Sequence, residues 1–214
     1  MDRRQFFRKG IGKVANVVLS AAEERVLHKA QYWLRPPFAI GELDFLLKCT
    51  RCSACIDACP HQVIFPLPMA RGGDVAGTPA LDLLNKGCHL CSDWPCVNAC
   101  ETGALSVVAQ APSGDEAESA LQSPVALEPD FKLSEVRIDS TRCLPYLGPE
   151  CGACQGSCPV SALIWQDNKP SIDPNRCVGC ALCREACITD PKAVSVTKAS
   201  SLTNGGSSPT AAET

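Results

Sequence analysis

Cys49-Thr50-Arg51-Cys52-Ser53-Ala54-Cys55-Ile56-Asp57-Ala58-Cys59-Pro60 is the stretch on which the reading of this chain turns. Three cysteines at two-residue intervals let one tight loop present three thiolates to the corners of a single 4Fe-4S cubane. The fourth, three residues further on and followed by proline, can point away toward a second cubane. Cys177-x2-Cys180-x2-Cys183-x3-Cys187 repeats the spacing, with Ile188 in place of the proline.

Two further quartets depart from that spacing. Cys88-x2-Cys91-x4-Cys96-x3-Cys100 carries Trp94 and Pro95 before its third cysteine, and Cys143-x7-Cys151-x2-Cys154-x3-Cys158-Pro159 lengthens its first gap to seven residues. The four quartets use all 16 cysteines of the chain. An even cysteine count also fits disulfides, but those do not require every quartet to contain C-x2-C and to end in C-x3-C. Zinc ribbons join two well-separated C-x2-C pairs around one tetrahedral ion, and the triple C-x2-C-x2-C suits the face of a cluster better. The cofactor expected is therefore four 4Fe-4S clusters, with all sixteen cysteines as ligands. A chain in which the two irregular quartets hold another centre, or none, is the rival reading.

Composition points the same way. Aromatic residues make up 5% of 214 residues, few for an apolar core of ordinary size. Metal ligation can supply the missing stability, because bonds to a cluster exist only in the folded state. A formal net charge of -3 offers no basic field for nucleic acid. No apolar run approaches the roughly 18 to 20 residues of a membrane-spanning helix, so any membrane contact is expected to go through a partner.

Short apolar runs after a small residue, at 103–108, 161–165 and 193–196, read as strands. Residues 162–173 read as a strand, a turn and a returning strand, and the C-x3-C segment 183–187 as a short helical turn. The repeated unit of motif and strand predicts an α+β fold. Its core is two ferredoxin-like modules of two clusters each, with short strands and short helices, preceded by an N-terminal amphipathic helix. The expected boundaries are 1–38 for the N-terminal segment, 39–110 and 133–199 for the modules, 111–132 for a linker, and 200–214 for a disordered tail. Sequential pairing gives one cluster Cys49, Cys52, Cys55 and Cys100, and the next Cys88, Cys91, Cys96 and Cys59, with the other eight cysteines divided the same way. Only 18 residues separate Cys158 from Cys177, which favours this pairing. A nested pairing, first motif with fourth and second with third, stays open.

At the N-terminus, Asp2-Arg3-Arg4-Gln5-Phe6-Phe7 resembles a twin-arginine export segment, although the apolar stretch that follows is weak. The competing reading places Phe7, Ile11, Val14, Val18, Ala21 and Ala22 on one face of an amphipathic helix that docks on the protein or a partner. The helix is the preferred reading and cytoplasmic location follows from it. The periplasm is the alternative.

With the quartets, Arg35-Pro36-Pro37, Cys88-His89-Leu90-Cys91 and Trp94-Pro95-Cys96 in view, the chain resembles the NapF/NapG/MauM ferredoxin-type family over roughly residues 34–196. The order and spacing of the quartets look like the NapG/MauM branch, while the weak leader fits the NapF branch. The resemblance implies transfer of single electrons between protein redox partners, an oxidoreductase subunit or a membrane quinol-linked complex, in a nitrate-reductase-like or related respiratory system. The alternative it implies is a cytoplasmic accessory factor that docks on a molybdoenzyme or another exported oxidoreductase subunit and helps it mature. An enzyme with its own substrate is not expected, because the chain shows no nucleophile-base pair and no phosphate-binding glycine loop. His28, His61 and His89 read as ordinary surface or loop histidines, and Trp94 and Trp165 as shields or strand packing.

Overall fold

Each cysteine run leaves too few residues between cysteines for long regular elements, so the chain proceeds in short helices and two-stranded ladders. The computed structural model describes residues 33–107 and 131–198, together with Val26 and Ala30. The segment expected to form the N-terminal helix therefore lies almost wholly outside the described residues, as do most of the expected linker and all of the tail.

In the first half, α1 (Glu42–Lys48) leads into the first quartet and α2 (Ala54–Asp57) carries Cys55. Strand β1 (Ile64–Pro66) pairs antiparallel with β2 (Pro79–Leu81) in the register Ile64↔Leu81, and α3 (Pro95–Asn98) carries Cys96. In the second half, β3 (Ser134–Ile138) pairs antiparallel with β6 (Val194–Lys198). Between them come α4 (Leu144–Leu147), the hairpin of β4 (Leu163–Gln166) and β5 (Lys169–Ile172), and α5 (Leu182–Glu185).

The two halves repeat each other with unequal completeness. The β4–β5 hairpin matches the expected strand, turn and strand, and its counterpart is β1–β2. The β3–β6 ladder corresponds in the first half to a single bridge, Ala39↔Leu105. That bridge is flanked by the Ile40 N–H donating to the Ala104 carbonyl at 3.2 Å and the Ser106 N–H to the Phe38 carbonyl at 2.9 Å. Of the strand expected at 103–108, the described residues 103–107 form one bridge, because the segment opposite turns through Pro36 and Pro37 and offers no run of free backbone groups.

Phe38, Phe45, Val63, Leu83, Leu105 and Val178 form the main core together with Cys55, Cys88, Cys96 and Cys180. Trp94 packs edge-on against Phe38 at 4.9 Å, and Phe38 in turn against Phe131 at 4.7 Å, so aromatics of both halves meet beside the second quartet. Further links join the halves. The Cys88 N–H donates to the Cys180 carbonyl at 2.8 Å, the Gly87 N–H to Glu185 Oε2 at 2.7 Å, and Arg184 Nε to the Leu84 carbonyl at 2.9 Å.

A buried ion pair pins α1 to the first half. Arg35 meets Glu42 at 2.6 Å, donates to Thr78 Oγ1 at 2.9 Å and to the Pro79 carbonyl at 2.7 Å, and lies over the Phe45 ring. Trp33 donates to the same carboxylate, so both charges are satisfied where they are buried. Among the described residues no helix is long and apolar enough to cross a membrane.

Candidate cluster sites

The loops that carry the cysteines depend on left-handed backbone. Arg51, Leu90 and Gly179 each precede the second cysteine of a quartet, and Ser53, Trp94 and Ala181 each stand two residues before the third; all six have positive φ. Gln62, Gly103 and Ser161 repeat the conformation three residues after the last cysteine of the first three quartets. Left-handed residues alternating with right-handed ones turn successive N–H groups toward one side of the chain, a concavity that favours anions. The third quartet departs from this pattern, because α4 fills its seven-residue gap and Gly148 makes the turn.

Two cavities show how the thiols assemble. One, partly open to solvent, is lined by Cys59, Cys88, Cys91 and Cys96 with Val63, Ile64, Leu81 and Trp94. The other is lined by Cys143, Cys151, Cys154 and Cys187 with Ile138, Leu144, Trp165 and Ile188. Each takes three cysteines from one quartet and the last from the neighbouring one. In the remaining groups Cys55 lies near Cys49, Cys52 and Cys100, and Cys183 near Cys177, Cys180 and Cys158. The structure brings all sixteen cysteines together in these four sets, and none is in a disulfide.

The environment of the thiols is apolar. Burial pushes Cys55 and Cys88 up to about 11, and Cys96, Cys180 and Cys183 up to about 12, with neighbouring sulfurs adding to the shift. Such thiols hold their protons at neutral pH unless a cation compensates the thiolates, so metal uptake must release protons and strengthens as pH rises. Cys187 is the exception. Burial would raise it, but hydrogen bonds from the Thr189 side chain and from backbone N–H groups of Thr189, Ala193 and Val194 outweigh burial and lower it.

Several donors are already aimed at sulfur. The Leu105 N–H reaches Cys100 Sγ at 3.3 Å and the Ala162 N–H reaches Cys158 Sγ at 3.2 Å. Thr189 Oγ1 stands 3.3 Å from Cys187 Sγ and Thr102 Oγ1 3.7 Å from Cys100 Sγ. Among the described residues, the one buried side-chain polar atom without a hydrogen-bond partner is the indole nitrogen of Trp165, which lines the Cys143 cavity. A donor left unpaired beside four thiols fits a group that carries acceptor sulfides.

His61 and His89 stack at 3.5 Å, within 7° of parallel, over the Cys88 cavity. Burial and then the charge of His61 hold His89 below the usual histidine range. The chemistry of the donor sets thus suits cubane clusters. Among the described residues no three such side chains converge on a point where a single metal ion would sit. The two threonines were missed in the sequence, although the repeated Cys-x-Thr at 100–102 and 187–189 was there to be read.

Residues 48–104 and 135–188 each match a family described as a 4Fe-4S dicluster domain. Two dicluster domains give four 4Fe-4S clusters. The chain is 30% identical to the methylamine utilization ferredoxin-type protein MauM of Methylobacillus flagellatus, over 91% of this chain and 83% of that one. It is 28% identical to the ferredoxin-type protein NapG of Escherichia coli, over 91% of this chain and 84% of that one. To the ferredoxin-type protein NapF of Escherichia coli it is 29% identical, over 74% of this chain and 82% of that one. No solved structure matches the chain significantly.

Proposed function

From the chain's membership of the family of ferredoxin-type 4Fe-4S electron-transfer proteins that includes MauM, NapG and NapF, we infer that it passes single electrons between two protein partners, with all sixteen cysteines as cluster ligands. The partners proposed are an oxidoreductase subunit and a quinol-linked complex. When bound, each cluster supplies a one-electron couple whose potential depends on hydrogen bonds to sulfur, nearby charge and exposure.

The ligand sets proposed are Cys49, Cys52, Cys55 with Cys100; Cys88, Cys91, Cys96 with Cys59; Cys143, Cys151, Cys154 with Cys187; and Cys177, Cys180, Cys183 with Cys158. The observation that carries this reading is the pair of apolar cavities, each lined by three cysteines of one quartet and the last of its neighbour. Residues 39–110 and 133–199 are proposed as the two modules. The residues do three things for the electron: the thiols fix each centre, the apolar lining excludes water, and the N–H and hydroxyl donors set how readily the centre accepts charge. No residue here would act on a substrate of its own.

Iron and acid-labile sulfide per chain test the reading, together with the electron paramagnetic resonance spectrum of dithionite-reduced protein. About sixteen iron with interacting signals is the expected outcome. About eight would overturn it and leave the accessory reading, in which the protein docks on an oxidoreductase subunit before that subunit is exported.

The compartment depends on residues outside the described ones. Cytoplasmic location follows if the first residues form a docking helix. Export through the Arg3-Arg4 segment is the second reading, supported by the likeness of Asp2-Arg3-Arg4-Gln5-Phe6-Phe7 to a twin-arginine segment. Fractionation of cells carrying an Arg3→Lys, Arg4→Lys chain decides between them.

A further inference from the structure

Four centres in two modules can be connected in several orders, and the contacts between the halves single out one. Within the first half, α2 and α3 pack on each other and bring Cys55 of the first set beside Cys96 of the second. Within the second half, Cys183 of the fourth set lies near Cys154 of the third. Between the halves the meeting point is a pair of ligand residues: the Cys88 N–H donates to the Cys180 carbonyl at 2.8 Å. Both residues are buried, at 8% and 7% exposure.

The surroundings hold that contact in place. Glu185 accepts from the Gly87 N–H at 2.7 Å, and Arg184 Nε donates to the Leu84 carbonyl at 2.9 Å. A Cβ on Gly87 would fall 2.7–2.8 Å from Leu182 Cδ2, Cα and N, so the two loops touch with no room between them. The other two sets reach the surface at one point each: Cys52 is exposed, and so are Gly152 and Ala153 beside Cys151, although Cys55 and Cys143 are buried.

We propose that electrons cross between the two halves of the chain at Cys88 and Cys180. The sets are then visited in the order Cys49, Cys88, Cys177, Cys143, with the Cys49 and Cys143 sets, terminal in that order, serving as the two docking ends. With clusters held by these cysteines, each hop would oxidise one centre from 1+ to 2+ and reduce its neighbour from 2+ to 1+, with no bond or proton moved. The electron comes from, and leaves to, one-electron protein partners. This order rests on the ligand sets given above.

The test uses the full chain carrying Cys52→Ser and Cys151→Ser, one ligand from each end set, Cys52 exposed and Cys151 half-buried. With the end centres lost, about eight iron should remain, and the dithionite-reduced protein should still show a spectrum broadened by spin-spin interaction, now between the two inner centres. Two unbroadened, independent signals at eight iron would overturn the order. Should the double variant hold fewer iron than that, Gly87→Ala in the otherwise intact chain decides. Weaker interaction at undiminished iron supports the crossing, and an unchanged spectrum sinks it. A wild-type count of eight iron would instead defeat the ligand sets, so the two failures are distinguishable.

Discussion

Trp165 and Thr189 line the same cavity, and each offers a proton to a site whose other walls are apolar. A reduced centre carries one more negative charge than an oxidised one, so a donor facing its sulfur stabilises the reduced state more and raises the potential. Trp165→Phe keeps the ring and removes the N–H; Thr189→Val keeps the shape and removes the hydroxyl. A hydrogen bond worth about 1 kcal/mol corresponds to about 40 mV for one electron. Both variants should therefore lower the same one of the four couples by roughly that amount, as read by potentiometric titration followed by electron paramagnetic resonance. If they move different couples, or none, these side chains do not serve one centre. Trp165 reads from sequence only as a shield, because the chain gives no sign that its indole nitrogen is left without a partner. The threonines escaped notice because Cys-x-Thr is unremarkable until the sulfur and hydroxyl are seen 3.3 Å apart.

At the scale of the elements, the strongest constraint is where the fourth quartet's loop meets β3. Gly179 has φ +76, and a Cβ there would come within 2.0 Å of the Ser134 carbonyl oxygen and 2.4 Å of its nitrogen, both backbone atoms that cannot swing aside. The contact is tied by Ser134 Oγ donating to the Gly179 carbonyl at 2.6 Å. Gly179→Ala must therefore part β3 from the loop, at a cost on the order of 3 kcal/mol or more, and iron should fall to about twelve per chain. Gly103 also has positive φ, but nothing lies within 4 Å of its Cβ position, so Gly103→Ala should cost only about 1 kcal/mol. Equal effects in thermal melts of the two variants would show that conformation, not contact, governs Gly179. The β4–β5 hairpin was legible because its apolar runs flank the turn-forming Asp167-Asn168. Strand β3 was not, because its partner β6 lies some sixty residues away and no local pattern couples Ser134 to Lys198. Strands β1 and β2 were missed for a related reason: three residues each, with prolines at 66 and 79, is too little pattern to read.

In the whole molecule, the proposed ligands are also core residues. Cys55, Cys88, Cys96 and Cys180 belong to one continuous core that also takes in Phe38 and Leu83 from the first half and Leu133 and Val178 from the second. Two consequences follow for unfolding. Stripping the iron removes the bonds that hold buried thiols together and leaves their protonated forms around apolar pockets, which short ladders of three to five strand residues cannot close by themselves. The shared core, with bonds such as Arg184 Nε to the Leu84 carbonyl and Cys88 N–H to the Cys180 carbonyl, couples the halves, so that neither should melt far ahead of the other. Under anaerobic conditions, circular dichroism and the visible absorbance of the clusters should therefore fall together in one thermal transition. Protein stripped by a chelator and an oxidant should lose its strand signal. Two separated transitions, with about half the visible absorbance lost in each, would mean that the contacts between the halves are too weak to make them one cooperative unit, and the crossing at Cys88 and Cys180 would then be open for part of the time.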